Sequence, residues 1–215
     1  MYVSDKNNAL IPFAVKTLNA WSDGSLKWVL FDLQISLAPS NVTELFIKSS
    51  KSENHKTSLN EFNIVENSTE FMISTGRAEF CVDRANFRPF KQVAINGTDF
   101  ISEAKSKTIL VDSNNDLWMP RVEKSFVERS NCLKTILYFE GPFSQAGKDH
   151  GLRFKARLYF YAGHSYSRLD FTLWNPEAAR HPGGLWDLGD PGSIFFTDLS
   201  IHTALKSSNG LSAIS

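Results

Sequence analysis

Residues 152–162, LRFKARLYFYA, alternate apolar and polar side chains without a break from Leu152 to Tyr159. In an extended chain successive side chains point to opposite faces. Leu152, Phe154, Ala156, Leu158 and Phe160 therefore share one face, and Arg153, Lys155, Arg157, Tyr159 and Tyr161 the other. A helical period would scatter both sets around its axis, so the stretch reads as a strand with one face on a core. The same period recurs in SYSRLDFTLW, where Leu169, Phe171 and Leu173 alternate with Arg168, Asp170, Thr172 and Trp174. It recurs again in NCLKTILYFEG, with Leu133, Thr135, Leu137 and Phe139 on one side. Antiparallel strands half-buried in this way belong to sheets that pack on one side only.

Helical periodicity is nearly absent; ISEAKS has room for a turn or two. The fold class is all-β. SLKWVLFDLQISL is apolar on both faces around Trp28–Phe31, which suits a strand enclosed in a small barrel. The polar stretch SSKSENHKTSLNEFNIVENSTE marks a boundary, dividing the chain into a short β-unit at 1–60 and a run of longer strands at 61–215, sized for a sandwich. A barrel of 60 residues is short of strands. The C-terminal ALKSSNGLSAIS reads as a polar tail or as a truncated end.

Composition excludes several functions. Lys+Arg and Asp+Glu are equal at 23 each, so no global field draws nucleic acid or an anionic membrane surface. No run approaches the ~20 apolar residues of a membrane span, and no signal peptide opens the chain. No His-x-His, Cys-x-x-Cys or Glu-x-x-His spacing supports a metal, and no phosphate-cradling loop or Gly-x-Ser-x-Gly elbow appears, so no cofactor is expected. The two cysteines, Cys81 and Cys132, are either bridged or two separate thiols; the second account is the simpler. Asn41, Asn67 and Asn96 head sequons whose meaning depends on the host.

Three motifs have both a chemical and a plainer account. WSDGSLKW, residues 21–28, holds an Asp-Gly turn; Trp21 and Trp28 either stack on sugar rings or fill the barrel and its mouth, and the second is expected. In STGRAEFCV, residues 74–82, a Thr75–Gly76 turn feeds a strand burying Ala78, Phe80 and Val82, and Arg77 is a candidate anion ligand or an exposed strand-end cation. The basic and aromatic face of 153–161 matches an acidic polysaccharide, yet solvated strand faces carry the same residues to discourage aggregation. His164, in the YAGHSYS turn, is expected at an exposed tip.

The loop NPEAARHPGGLWDLGDPGS is the densest concentration of prolines and glycines in the chain, which prescribes a path rather than a mere connection. Long loops in compact domains are commonly functional. Within it Arg180, His181, Trp186, Asp187 and Asp190 bring together a cation, a proton-transfer group, a flat ring and two carboxylates. The plainer account is a compact loop packed by Trp186 and Leu188, with the aspartates capping turns.

LIPFAVKTLNAWSDGSLKWVLFDLQISL, STGRAEFCV, FYAGHSYSRLDFTLWN and HPGGLWDLGDPGS together resemble the exo-rhamnogalacturonan lyase family of polysaccharide lyases and its YetA-like relatives. The resemblance spans nearly the whole chain. It implies that the first unit is a partial RIFT-type barrel, and that residues from about 70 onward form the family's central β-sandwich. It also implies a partner domain, because that family continues into a C-terminal α/α toroid holding most of the catalytic cleft. Helices of that kind are absent here, and the family has further β-structure before the counterpart of LIPFAV. The resemblance thus implies a fragment or a degenerate relative.

Lyase cleavage of a uronate removes the proton α to the carboxylate and expels the sugar oxygen at the next carbon. It needs a cation on the carboxylate, a base near the acidic carbon and an acid at the leaving group. On composition, His181 is the candidate acid or base, Arg180 the carboxylate partner, Trp186 a sugar platform, and Asp187 or Asp190 an orienting group. No catalytic residue is carried over from the family. Two functions follow: a non-catalytic β-region of a pectin-degrading lyase, supporting its toroid, or a stand-alone carbohydrate-binding module for acidic oligosaccharides. A small glycosidase is disfavoured by the short spacing of Asp187 and Asp190, and a purely structural sandwich is the fourth possibility.

Overall fold

The computed structural model describes residues 1–49, 62–177 and 192–206, and there the chain is all-β. The strands are β1 (Tyr2–Asp5), β2 (Phe13–Ala20), β3 (Leu26–Leu33), β4 (Leu45–Lys48), β5 (Asn63–Glu66), β6 (Glu70–Ser74), β7 (Glu79–Asp83), β8 (Gln92–Ile95) and β9 (Thr98–Asp99). They continue as β10 (Lys107–Asp112), β11 (Leu117–Pro120), β12 (Lys124–Ser130), β13 (Lys134–Gln145), β14 (Lys148–Tyr161), β15 (Ser167–Trp174) and β16 (Phe196–His202). Within ISEAKS a single 3-10 turn forms at Glu103–Lys105. Among the described residues no helix is long and apolar enough to cross a membrane. The expected boundary at 60/61 and the polar tail from 207 onward fall outside the described residues.

Two antiparallel sheets make the sandwich. One runs β5-β6-β7-β8-β9; the other runs β15-β14-β13-β11-β10-β16, with β12 also paired to β13. The alternating strands bury the faces that their periodicity assigns. Phe154, Leu158 and Phe160 of β14 and Leu137 and Phe139 of β13 meet Phe71, Ile73, Phe80 and Val82 of the smaller sheet. Rings dominate the contact: Phe71 meets Phe139 edge-on at 6.0 Å, Phe80 lies 5.0 Å from Phe160, and Phe87 fills the space between Phe139 and Phe154. Such pairs add directional preference to the large apolar area they bury.

Gly141 lets β13 change partners. Its backbone comes so near β11 that an added Cβ would sit 1.9 Å from the Arg121 carbonyl oxygen. Around it Arg121 N–H donates to Pro142 O and Glu123 N–H to Glu140 O, each at 2.9 Å, carrying the ladder from β11 to β12.

Four N-terminal strands form the open half of a barrel in two separate pairs, β1 with β4 and β2 with β3. The β2–β3 hairpin turns at Asp23–Gly24 as expected: Gly24 has φ +84°, and Asp23 accepts from the backbone and hydroxyl of Ser25. The base of the hairpin docks on the sandwich through Asp32. Its carboxylate meets Arg129 at 2.5 Å, Lys134 at 2.6 Å and the Asn131 amide at 2.8 Å. Gln34 adds a bond to the Ala162 carbonyl at 2.9 Å.

The distal half does not match the expected packing. Trp21 is 55% exposed and Trp28 64%, so neither fills a barrel, and Leu18, Leu26 and Leu30 are exposed beside them. The physical reason is strand count: among the described residues the hairpin pairs only with itself and has no opposite wall to cover its apolar face.

Candidate functional site

The segment singled out for chemistry, with Arg180, His181, Trp186, Asp187 and Asp190, lies outside the described residues. Its two feet are described. Asn175 Nδ2 donates to the Gly192 carbonyl at 2.6 Å, while Asn175 Oδ1 accepts the Glu177 backbone N–H at 2.9 Å. One asparagine thus ties the outgoing and returning chain together at the end of β15. Beside these feet, Lys155 Nζ lies 4.9 Å over the Trp174 ring, and the indole N–H of Trp174 is buried with no acceptor among the described residues. Ile194, just past the returning foot, packs against Gly151, which takes a φ of +100°.

A histidine that sequence reasoning passed over sits near the same end. His150 packs edge-on against Trp118 at 5.0 Å, and its Nδ1 is buried with no partner among the described residues. Trp118 in turn donates to Asp112 Oδ2 at 3.0 Å. Burial pushes the His150 pKa down from its ordinary 6.5, outweighing the opposite pull of the Asp112 charge. The ring is therefore neutral near pH 7. No periodic or motif signal marks it, because its surroundings come from three separate strands.

The outer face of the larger sheet carries the basic and aromatic residues read from β14, but its charges are spent internally. Arg157 makes a two-pronged pair with Glu128, both bonds at 2.7 Å. Arg153 pairs with Glu123, Lys124 with Glu140 at 2.6 Å, and Arg168 with Asp170 at 2.8 Å. The guanidinium groups also cover the tyrosine rings: Arg157 lies 5.0 Å over Tyr138, and Arg168 5.2 Å over Tyr159. Burial, followed by the hydrogen bond to Glu140, pushes the Tyr138 phenol up to about 12. An incoming anion would have to displace these carboxylates, so the face suits a solvated, self-neutralised surface better than an acidic-polymer platform.

At the opposite end of the sandwich, the Thr75–Gly76 turn is held tightly. Thr75 Oγ1 donates to the His164 carbonyl at 2.6 Å and accepts the Ala78 N–H at 3.0 Å, while Gly163 N–H donates to Thr75 O at 2.7 Å. The bonds join the β6–β7 turn to the β14–β15 turn. His164 is half-buried there, its ring 4.8 Å from Tyr166. Arg77 projects from the first turn into solvent.

The outer face of the smaller sheet was not foreseen as a site. A shallow cavity of about 190 Å³ lies between Val65, Met72 and Cys81, rimmed by Asn63 and Gln92. Beside it Glu70 Oε2 accepts from the Cys81 thiol at 3.0 Å and from Lys91 at 3.1 Å. Burial and the adjacent carboxylate push the Cys81 thiol up to about 12. Both cysteines are free thiols, Cys81 buried and Cys132 exposed. Among the described residues no group of three His, Cys, Asp or Glu side chains stands together as a metal site. Compared with known proteins, the sequence matches no family model and no curated protein at a significant level.

Proposed function

We propose that this chain is a non-catalytic β-region of an exo-rhamnogalacturonan lyase-like polysaccharide lyase. Its open half-barrel and sandwich would support a helical toroid, and the 179–193 loop would border the substrate cleft. The toroid would supply most of the machinery for β-elimination on pectic polysaccharide. In this reading Arg180 would meet the substrate carboxylate and Trp186 stack on a sugar, with His181, Asp187 and Asp190 as further contacts along the same border, while proton transfer belongs to the toroid.

The observation that carries the reading is the uncovered apolar surface of the β2–β3 hairpin. Trp21, Trp28, Leu18, Leu26 and Leu30 are all exposed on this one hairpin, and apolar side chains gathered in this way mark an interaction face more often than scattered ones do. A hairpin of this kind is stable when further polypeptide closes over it. The motif resemblance names what that polypeptide would belong to.

The test is to read the coding DNA on both sides of this segment. A continuing frame that encodes a long series of amphipathic helices downstream supports the assignment. Start and stop codons directly at the two ends would overturn it. Where the longer protein exists, Arg180→Ala and His181→Ala should weaken substrate binding while formation of unsaturated oligosaccharide product persists at saturating substrate. Loss of turnover at saturation by His181→Ala would make this region catalytic and overturn the reading.

A further inference from the structure

We propose that β16 is the edge through which two copies of this chain pair, antiparallel about Ser200, into one continuous sheet. The inference stands on different residues from the function above and does not rest on it.

Among the described residues β5, β12, β15 and β16 each leave one edge without a strand partner. Unpaired backbone groups on such an edge invite a further strand, and charge, shortness or a bulge discourages it. β5 has only four residues. β12 carries Lys124, Glu128 and Arg129 with a register shift between Val127 and Arg129, and β15 carries Arg168 and Asp170. β16 bears no lysine or arginine, and Phe195, Phe196 and Ile201 are exposed along it. Its own bulge lies near its start. Val111 stands opposite Asp198 and Asp112 opposite Phe196, while Thr197 between them donates its hydroxyl to the Val111 and Asp112 carbonyls. Beyond the bulge, residues 198–202 run in regular register against residues 107–111.

The side chains of this segment select a second copy as the partner. Leu199 packs on the core and Ile201 stands opposite buried Thr108, so both face inward, while Asp198, Ser200 and His202 face outward. A twofold axis normal to the sheet keeps inward residues inward only when a residue, not a gap between residues, lies on it. Centred on Asp198, the pairing would set two carboxylates face to face. Centred on Leu199, it would set Ile201 against the bulged Thr197, and centred on Ile201 it would leave Asp198 with no strand residue opposite. Centred on Ser200, it uses all of 198–202, sets Leu199 opposite Ile201, and brings Asp198 of each copy opposite His202 of the other. Lys107 stands beside His202 across the ladder, so that end of the edge is cationic and the Asp198 end anionic. The edge is therefore self-complementary, because the twofold joins its unlike ends twice. Within one copy Asp198 and His202 lie about 13 Å apart at strand rise and do not meet. Pairing consumes both edges, so the assembly closes as a dimer, and the few strand residues involved make it a weak one.

The experiment measures sedimentation of the full chain over a wide range of concentration. A reversible monomer–dimer equilibrium is expected. Asp198→Lys sets a lysine opposite His202 and beside Lys107, and should weaken the dimer about tenfold; His202→Glu sets two carboxylates together and should do the same. The charge-swapped double variant, Asp198→Lys with His202→Glu, should regain most of the lost affinity. Because the two residues do not meet within one copy, that recovery can come only from pairing between copies. Trp28→Ser, on the exposed hairpin, should leave the equilibrium unchanged. A chain that stays monomeric, growth beyond the dimer, no recovery in the double variant, or dissociation by Trp28→Ser would overturn the proposal. None of these outcomes bears on whether a helical domain follows in the coding DNA.

Discussion

Glu70 Oε2 serves two donors at once, a thiol and an ammonium, and the three groups hold one another in fixed protonation states. The thiol of Cys81 is neutral because thiolate would face a carboxylate in a partly dry site; the carboxylate stays charged because both donors favour it. Nucleophilic sulfur chemistry requires the thiolate, so Cys81 should resist alkylation in the native protein. At pH 8, iodoacetamide is expected to modify Cys132 and spare Cys81, with both reacting once the chain is unfolded in denaturant. Peptide mass mapping reads the outcome; equal native labelling of the two would contradict the arrangement. A second residue-scale expectation separates steric from conformational cost at glycine. At Gly97, with φ +76° and open space around a Cβ, alanine pays only left-handed strain, about 1 kcal/mol. At Gly141 the Cβ collides with backbone that cannot yield without breaking the β11–β13 ladder. Gly141→Ala should cost at least about 3 kcal/mol in urea unfolding, and a loss no larger than that of Gly97→Ala would refute the close approach.

At the scale of elements, the base of the β2–β3 hairpin is held by one carboxylate facing two cations across a long sequence separation. Asp32 is 11% exposed, Arg129 15% and Lys134 20%, so the cluster is mostly shielded from solvent. Removing the shared acid leaves two cations crowded together, a larger loss than breaking a surface pair. Asp32→Ala is expected to cost about 2 kcal/mol and to speed hydrogen exchange in β2 and β3 before it affects β13 and β14. Uniform acceleration over the whole chain would show that hairpin and sandwich open as one unit. This anchor had no trace in the sequence, where Asp32 is a single acid inside an apolar run. The strands themselves were legible. The alternation in β14 assigned Leu152, Phe154, Leu158 and Phe160 to the core because a strand's period is a local property. The exposure of Trp21 and Trp28 was not legible, since it depends on how many strands stand opposite. Arg77 drew notice from its place beside a Thr-Gly turn. The shallow cavity on the same sheet did not, because Val65, Met72, Cys81 and Gln92 become neighbours only through register.

For the molecule as a whole, balanced charge hides a one-sided response to acid. His150 is held below its ordinary 6.5 by burial, so the folded state favours the neutral ring more than the unfolded chain does. Its stabilisation is fully present above pH 6.5 and is lost as the pH falls through the lowered folded value. Glu128, Glu140 and Glu70 follow the same sign from 4.5. Hydrogen bonds from Arg157, from Lys124 and Tyr138, and from Cys81 and Lys91 respectively hold them down in the folded state. Cys81 and Tyr138 act on the other side. Their folded values near 12 exceed ordinary values of 9.0 and 10.0, so their contribution persists below those values and is lost as the pH climbs toward 12. The thermal midpoint should therefore be flat from about pH 6.5 to 9. It should decline gently below 6.5, steepen below about 4.5, and fall again in strong alkali. The first acid step belongs to His150 alone among these groups, with Asp112 the charge that opposes it. Circular dichroism melts of the wild type and of His150→Gln across pH 7 to 5 isolate that step. The variant should lose the gentle decline and keep the steep one; identical slopes would mean that the buried ring is not the group that titrates.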